Sequence, residues 1–225
     1  LITTGDEMVE PGAGKLEFGQ AFNSNAVMLE TAIRHMGITA LDCYHVYDER
    51  QPTLDTIRVA TQSADVVIIV GGMSVGARDQ VKPALNECGV NIEFWRVRMK
   101  PGKPFLYGSF GQGGQLFGLP GNPVSALVSF LIFVLPALQL RLGAHSGKLG
   151  MRTARAESLS AISNPGNRPH YVRGVFDEGT GFLASPCQAS QHIPVLAQSN
   201  ALARVPAGSS IKAGEILELK LLWDY

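Results

Sequence analysis

Neither sign of charge dominates this chain. Nineteen Lys and Arg face nineteen Asp and Glu in 225 residues, giving a formal net charge of zero and a pI near 7.1. The basic excess of a nucleic-acid binder is missing, and no nucleic-acid partner is expected, although a local basic pocket for a small anion stays open. Cysteine is scarce. Cys43, Cys88 and Cys187 are odd in number and have no paired spacing, so they make neither a disulfide framework nor a zinc site. They suit a reducing, cytoplasmic setting. Long apolar runs are lacking too: the most apolar stretch, Ala126 to Leu138, contains Ser129 and Pro136 and is shorter than the roughly 20 residues that span a bilayer. A buried core helix is expected there, and no membrane partner. The five histidines show no metal spacing, so exposed or structural roles are expected of them. No basic-then-apolar targeting segment opens the chain. It begins Leu-Ile-Thr-Thr-Gly, without Met, as if inside a strand of a longer protein.

What is present is enough for a core. Apolar residues make up 45% and charged residues 17%, an ordinary globular composition that excludes intrinsic disorder. At roughly 100–200 residues per domain, one large domain or a medium and a small one fit. Up to about residue 145, helical and strand patterns alternate. Asn23 reads as the N-cap of a helix through Met36, with Gly37 as its stop and Val27, Met28, Leu29, Ala32 and Ile33 as its apolar face. Ile38 to Val46 reads as a strand, and Thr53 to Ser63 as a helix capped by Thr53. Val66-Val-Ile-Ile-Val70 has the pattern of a central parallel strand buried on both faces. A helix from Asp79 to Cys88, a strand from Ile92 to Val97 and short strands at 105–107 and 115–117 follow, and then a long helix with Pro123 in its first turn. Such alternation predicts a three-layer α/β/α domain over 1–145 with a mostly parallel sheet. Its ligand loops should follow Val46, Val70, Val97 and Phe117, at the carboxyl ends of the strands.

Beyond 150 the pattern shifts to short alternating stretches, 170–176, 181–184, 201–205 and 215–221, punctuated by Gly and Pro. That predicts a small all-β, barrel-like domain over 150–225.

Three Gly-rich loops carry chemistry. Gly71-Gly-Met-Ser-Val-Gly-Ala-Arg-Asp79 lies between the buried strand and a helix, where backbone N–H groups meet anions. It lacks the Gly-Lys-Ser/Thr of a P-loop and the spacing of the dinucleotide fingerprint. A plain βα turn, with Asp79 as a cap, also explains it. In Met99-Lys-Pro-Gly-Lys-Pro104, preceded by Arg96 and Arg98, a Pro-Gly turn holds two ammonium groups where a phosphate or an oxyanion such as molybdate would suit them. A solvated basic turn is the plain alternative. Phe117-Gly-Leu-Pro-Gly-Asn-Pro-Val-Ser125 is a rigid strand-to-helix turn, structural if taken alone. The case for a site is that all three would open at one sheet edge. Carboxylates in Thr4-Gly-Asp-Glu7, Asp48-Glu49 and Asp79 can supply hard oxygen ligands for a cation such as Mg²⁺, although each alone fits a surface or capping role.

Together, in this order and spacing, the three loops resemble the MoeA family (molybdopterin molybdenumtransferase), whose animal relative is the gephyrin E domain. Thr3-Thr-Gly-Asp-Glu7 and Asn23-Ser-Asn25 are similar to it as well. The likeness is strong over 1–143 and weaker over 150–225, which looks like the family's C-terminal β domain. It implies an enzyme of molybdenum cofactor biosynthesis that cleaves adenylylated molybdopterin, releases AMP and inserts molybdate, with Mg²⁺. It implies Glu7, Asp48 and Asp79 as the catalytic, metal-associated acids and Gly71, Gly72 and Ser74 as the substrate cradle. Lys100, Lys103, Pro104 and Ser125 would be anion ligands, and Pro120 and Pro123 would shape the pocket. Arg173 or Arg168, with Ser190, would reach the same oxyanion. A homodimer in the full-length protein and a MogA-like adenylyltransferase partner are implied too, and the two N-terminal domains of full members are absent here. Two rival readings remain: a MogA-like adenylyltransferase, sharing the α/β domain and the Gly-Gly-x-Ser loop, and a gephyrin-like scaffold that binds peptides.

Overall fold

The structure is a computed structural model that describes residues 1–73, 80–145, 147 and 149–223. By compactness the chain divides into a first unit, Leu1–Val97 with Pro104–Asn122, and a second, Arg98–Lys103 with Pro123–Tyr225.

The first unit is built on a six-stranded sheet in the order β4-β1-β5-β8-β7-β6. Its strands are β1 (Ile2–Thr4), β4 (Tyr44–Val46), β5 (Val66–Val70), β6 (Asn91–Trp95), β7 (Leu106–Phe110) and β8 (Gly114–Leu119). β4, β1, β5 and β8 run parallel, while β7 pairs antiparallel with both β8 and β6. β5 is the centre the sequence predicts: Val67 to Val70 are buried, and parallel partners flank it on both sides. Val67 and Ile69 share a core with Leu54 and Ile57 of α2 (Arg50–Ser63) and Val81, Ala84 and Leu85 of α3 (Val81–Glu87). Ile68 and Val70 alternate to the opposite face. Thr3 lies on that face too, where Asn23, the cap of α1 (Ser24–His35), donates to its hydroxyl at 2.8 Å. Helices thus cover both faces of a mostly parallel sheet. Truncating Ile69, fully buried, to Ala would cost about 2–5 kcal/mol. A small parallel pair, β2 (Met8–Val9) with β3 (Ala21–Phe22), precedes α1.

Several sequence expectations shift. Asn23 does cap α1, its side chain accepting from the Ala26 N–H, but Val27 is 50% exposed and does not belong to the buried face. The strand predicted over 38–46 shrinks to Tyr44–Val46. α2 starts at Arg50, with Pro52 tolerated in its first turn. Thr53 lies inside the helix, and its hydroxyl donates to the Glu49 carbonyl at 2.6 Å.

In the second unit, β9 (Thr153–Glu157), β11 (His170–Asp177), β12 (Gly181–Ala184), β13 (Ala201–Val205) and β15 (Ile216–Leu221) form an antiparallel sheet in the order β12-β11-β13-β15-β9. Just past β9, Ser158 bridges Phe182 of β12, and the Leu159 N–H donates to the Phe182 carbonyl at 2.8 Å. The two sheet edges therefore meet, which makes the sheet barrel-like. β10 (Ile162–Asn164) pairs with β14 (Ser209–Ile211), and the core holds Val172, Phe182, Ala203, Val205 and Leu219. A short helix α6 (Ile193–Ala197) precedes β13.

The unit also holds one helical rod, Pro123–Arg141, made of α4 (Pro123–Ser129), a π turn at Phe130–Val134 and α5 (Leu135–Arg141). The rod is longer than the run read from sequence. Among the described residues it is the one helix long and apolar enough to cross a membrane, yet 61% of it is buried inside the molecule, as in a core helix. His170, at the start of β11, is buried, the structural of the two roles expected of the histidines.

Candidate functional site

In the first unit's sheet, the chain leaves β1 toward β4 on one side, and β5 lies between β1 and β8 on the other. The order reverses between β1 and β5, and in such sheets ligands bind outside the carboxyl ends of the strands at that point. Thr4-Gly5, Gly71-Gly72 and Pro120-Gly121 follow the ends of β1, β5 and β8 there. Backbone crowds this edge. The Gly71 N–H donates to the Leu119 carbonyl at 3.1 Å, and the Gly5 N–H to the Val46 carbonyl at 3.3 Å. Gly71 has φ +96°, and a β-carbon on it would meet the Thr4 Oγ1 at 2.5 Å. A β-carbon on Gly121 would lie 3.7 Å from the Gly71 Cα. Glycine at these positions lets the backbones of three loops come together where a side chain would not fit.

Acids gather beside them. The Asp48 N–H donates to the Asp6 Oδ1 at 2.8 Å, joining the loops after β1 and β4. Partial burial pushes the Asp48 carboxyl above its ordinary value, and the negative charges of Asp6 and Glu7 push it the same way. Glu7 folds back over Gly5, its Oε2 2.9 Å from where a β-carbon there would be. The sequence places Asp6 among the candidate carboxylates of Thr4 to Glu7, but its link to Asp48 spans 42 residues and no local pattern signals it. Among the described residues, no three His, Cys, Asp or Glu side chains gather into a group that can hold a metal. The donor set still fits Mg²⁺, which binds through one or two carboxylates plus substrate phosphates and water, not through a protein-only cage. Mutual repulsion of the three carboxylates is what such a cation relieves.

The Pro120-Gly121 turn is held from α1: Asn25 Nδ2 donates to the Gly121 carbonyl at 2.7 Å. Beneath it a polar chain runs from Glu10 through Asn23 to the Thr3 hydroxyl and on to His45 Nδ1. Arg96, read from sequence as one of four anion-facing cations, has another job. Its guanidinium stacks on Trp95, 4.0 Å from the ring centroid, with the Lys82 ammonium also over that ring at 3.6 Å.

In the second unit, the loop at 98–103 is stapled to the start of β11. The Lys100 N–H donates to the Pro169 carbonyl at 2.9 Å, and the Lys100 carbonyl accepts from the Tyr171 N–H at 2.7 Å. Arg98 reaches the Asn167 carbonyl and Arg168 the Met99 carbonyl, at 2.9 and 3.1 Å. Lys100 and Lys103 keep exposed side chains. Gly102, at φ +102°, packs against Ser129, whose Oγ would lie 2.5 Å from an added β-carbon. Ser125 is buried in the first turn of α4, two residues after Pro123, and the Val124 N–H donates to the Ser190 carbonyl at 3.1 Å. Arg173 is 1% exposed; its Nη2 donates to the Cys187 and Ala189 carbonyls, both at 3.1 Å, while Nη1 is buried without a partner among the described residues. Burial lowers its pKa. His170 is likewise buried, and desolvation, together with the positive charges of Lys100, Arg173 and Arg168, pushes its pKa down to about 4.

The first unit thus brings together Glu7, Asp48, Gly71, Gly72 and Pro120 at one sheet edge, and Pro104 belongs to that unit. The second contains Lys100, Lys103, Pro123, Ser125, Arg173 and Ser190. Ser74 and Asp79 lie outside the described residues.

Known proteins fit this geometry. Residues 1–140 match the family described as "Probable molybdopterin binding domain", and residues 155–222 match "MoeA C-terminal region (domain IV)". The chain is 32% identical over 229 residues to the molybdenum cofactor synthesis protein cinnamon of Drosophila melanogaster, covering 99% of this chain and 38% of the relative. It is 32% identical over 232 residues to molybdopterin molybdenumtransferase 2 of Mycobacterium tuberculosis, covering 100% of this chain and 55% of the relative. The crystal structure of a molybdopterin biosynthesis MoeA protein from Pyrococcus horikoshii superposes with a TM-score of 0.81 at 26% identity, covering 98% of this chain and 53% of that one. The chain spans about half the length, or less, of these relatives.

Proposed function

We propose a function from one premise: this chain belongs to the MoeA family, with a molybdopterin-binding domain followed by the family's C-terminal region. Its part in the reaction is to take adenylylated molybdopterin, release AMP and place molybdate on the dithiolene, as a molybdopterin molybdenumtransferase of molybdenum cofactor biosynthesis. The observation that carries this reading is the meeting of Asp6, Glu7 and Asp48 beside the glycine-faced edge of β1, β5 and β8.

In this reading Gly71, Gly72 and Ser74 form the substrate cradle. Gly71, whose N–H is engaged by the Leu119 carbonyl, contributes by having no side chain. The amides of Gly72 and Ser74 meet the anion, because backbone N–H groups at a strand-to-helix turn favour anions. Pro120 and Pro123 fix the turn into α4. Glu7, Asp48 and Asp79 hold Mg²⁺ at the pyrophosphate. When bound, the cation neutralises phosphate charge as AMP departs. Lys100, Lys103, Pro104, Ser125 and Ser190 serve the molybdate oxyanion together with Arg173, whose unpartnered Nη1 is a donor in want of an acceptor. Arg168, which precedes β11, and Arg173, which lies within it, each use one guanidinium nitrogen on backbone carbonyls. Arg173 is the better oxyanion ligand because its other nitrogen, Nη1, is buried and unmet among the described residues. The full-length protein acts in the cytoplasm as a homodimer and receives its substrate from a MogA-like adenylyltransferase.

The match of 155–222 to the MoeA C-terminal region supports this reading over an adenylyltransferase. The test is to incubate the protein, extended to the length of its relatives, with adenylylated molybdopterin, molybdate and Mg²⁺. Magnesium-dependent AMP release and active cofactor are expected. Consumption of ATP with accumulation of adenylylated molybdopterin would overturn the assignment in favour of the adenylyltransferase.

A further inference from the structure

The carboxamide of Asn25 is only half used. Asn25 stands in the first turn of α1, 7% exposed, with its Nδ2 donating to the Gly121 carbonyl at 2.7 Å. A carbonyl only accepts, so nitrogen faces Gly121 and the oxygen is the other end. That Oδ1 is buried and has no hydrogen-bond partner among the described residues. An unmet buried acceptor costs about 1–3 kcal/mol, and native folds retain few of them. Bracing the turn needs only the Nδ2, so the brace leaves the Oδ1 unexplained.

Its surroundings suggest what it awaits. Gly121, which Asn25 holds, adjoins Gly71, and Gly71 abuts Thr4 across the point where the strand order reverses. An acceptor oxygen at this crevice repels phosphate, thiolate and molybdate, and attracts a neutral N–H. Within an adenylylated molybdopterin, nitrogen donors occur on the pterin and on the adenine. The pterin presents two adjacent donors, N3–H and the 2-amino group, whereas adenine presents one amino group flanked by ring acceptors. With both lone pairs free, Oδ1 matches the paired donor edge.

We propose that Asn25 determines specificity at this site, its Oδ1 accepting from the 2-amino edge of the bound pterin while its Nδ2 keeps the Gly121 carbonyl in place. The inference rests on the molybdopterin reading of the site and names the group that recognises the ring.

The test uses 6-hydroxymethylpterin and its lumazine analogue, in which a carbonyl replaces the 2-amino group and acceptor meets acceptor. Fluorescence titration of the wild-type chain should favour the pterin by about tenfold or more, because a site built to bond an N–H rejects its replacement strongly. Asn25→Ala should bind the two alike. Equal binding of both by the wild type, or a preference unchanged in the variant, would overturn the proposal. So would loss of AMP binding in the variant with the pterin preference intact, which would assign Oδ1 to the adenine. If Asn25→Ala does not fold by circular dichroism, Asn25→Ser replaces it, and the wild-type ratio remains decisive. Failure of the wild type to bind either ring would sink the molybdopterin reading itself, and the inference with it.

Discussion

Gly71 and Thr4 meet without clearance where β5 and β1 end: a β-carbon on Gly71 would stand 2.5 Å from the Thr4 hydroxyl oxygen and 2.9 Å from the Thr4 carbonyl oxygen. The φ of +96° at Gly71 adds backbone strain for any other residue. Gly71→Ala is therefore expected to lower unfolding free energy by about 3 kcal/mol, from strain and overpacking together. Urea denaturation measures it. Adding Thr4→Ala should restore only part, since the carbonyl and the φ remain; full restoration would show that the hydroxyl alone sets the constraint.

Asp48→Asn tests the acidic loops. Asp48 has a folded pKa above its ordinary 3.8, so the folded chain holds the proton more tightly than the unfolded one. Stability from this group therefore falls as pH rises through the region just above 3.8. Without divalent cations, the variant should melt higher than wild type near neutral pH and lose that advantage toward pH 3.8. In the full-length protein it should release AMP far more slowly. An unchanged melting difference across that range would contradict the placement of Asp6 and Glu7 around Asp48.

His170 gives the opposite slope. Its folded pKa of about 4 lies below the ordinary 6.5. Unfolded chains take up the proton first, so stability is full above pH 6.5 and is lost as pH falls toward 4. The buried ring, facing the charges of Lys100, Arg173 and Arg168, resists protonation. Melting temperatures of wild type should drop through that window, and His170→Gln should drop less. Parallel curves would show that other groups govern the acid limb.

The basic loop separates binding from folding. Lys103 is exposed, and Lys103→Ala should change stability by no more than about 0.5 kcal/mol while weakening molybdate binding several-fold in calorimetry. Gly102→Ala drives a β-carbon onto Ser129 and should impair both. Equal molybdate affinity in Lys103→Ala and wild type would remove Lys103 from the anion ligands.

Much of this was readable where the signal is local. Five consecutive β-branched residues, Val66 to Val70, dictated a strand buried on both faces, and Asn23 with Gly37 marked both ends of α1. The start of α2 was misplaced because Thr53 looks like a cap, whereas its hydroxyl turns back to bond Glu49 within the helix. Ile38 and Leu41 suggested strand but fall in a loop, where no neighbouring strand pairs with them. At the site, glycines and acids announced themselves by motif. Asp6 and Asn25 stand in two of the quoted segments, Thr3 to Glu7 and Asn23 to Asn25, but their contacts with Asp48 and Gly121, 42 and 96 positions away, are encoded by no local spacing. Burial of His170 was hidden for the same reason: Lys100, which bridges it, comes from a distant loop.

The division of the chain into compact units has an outcome during synthesis. The polypeptide passes from the first unit to the second after Val97, returns at Pro104, and crosses again after Asn122. The loop at 98–103 and the 19-residue rod from Pro123 to Arg141 thus leave the ribosome before the strands of their own unit, which begin at Thr153, exist. Until those strands emerge, this apolar rod stands without the β-sheet of its own unit, and apolar surface left open in such an incomplete chain is prone to aggregate.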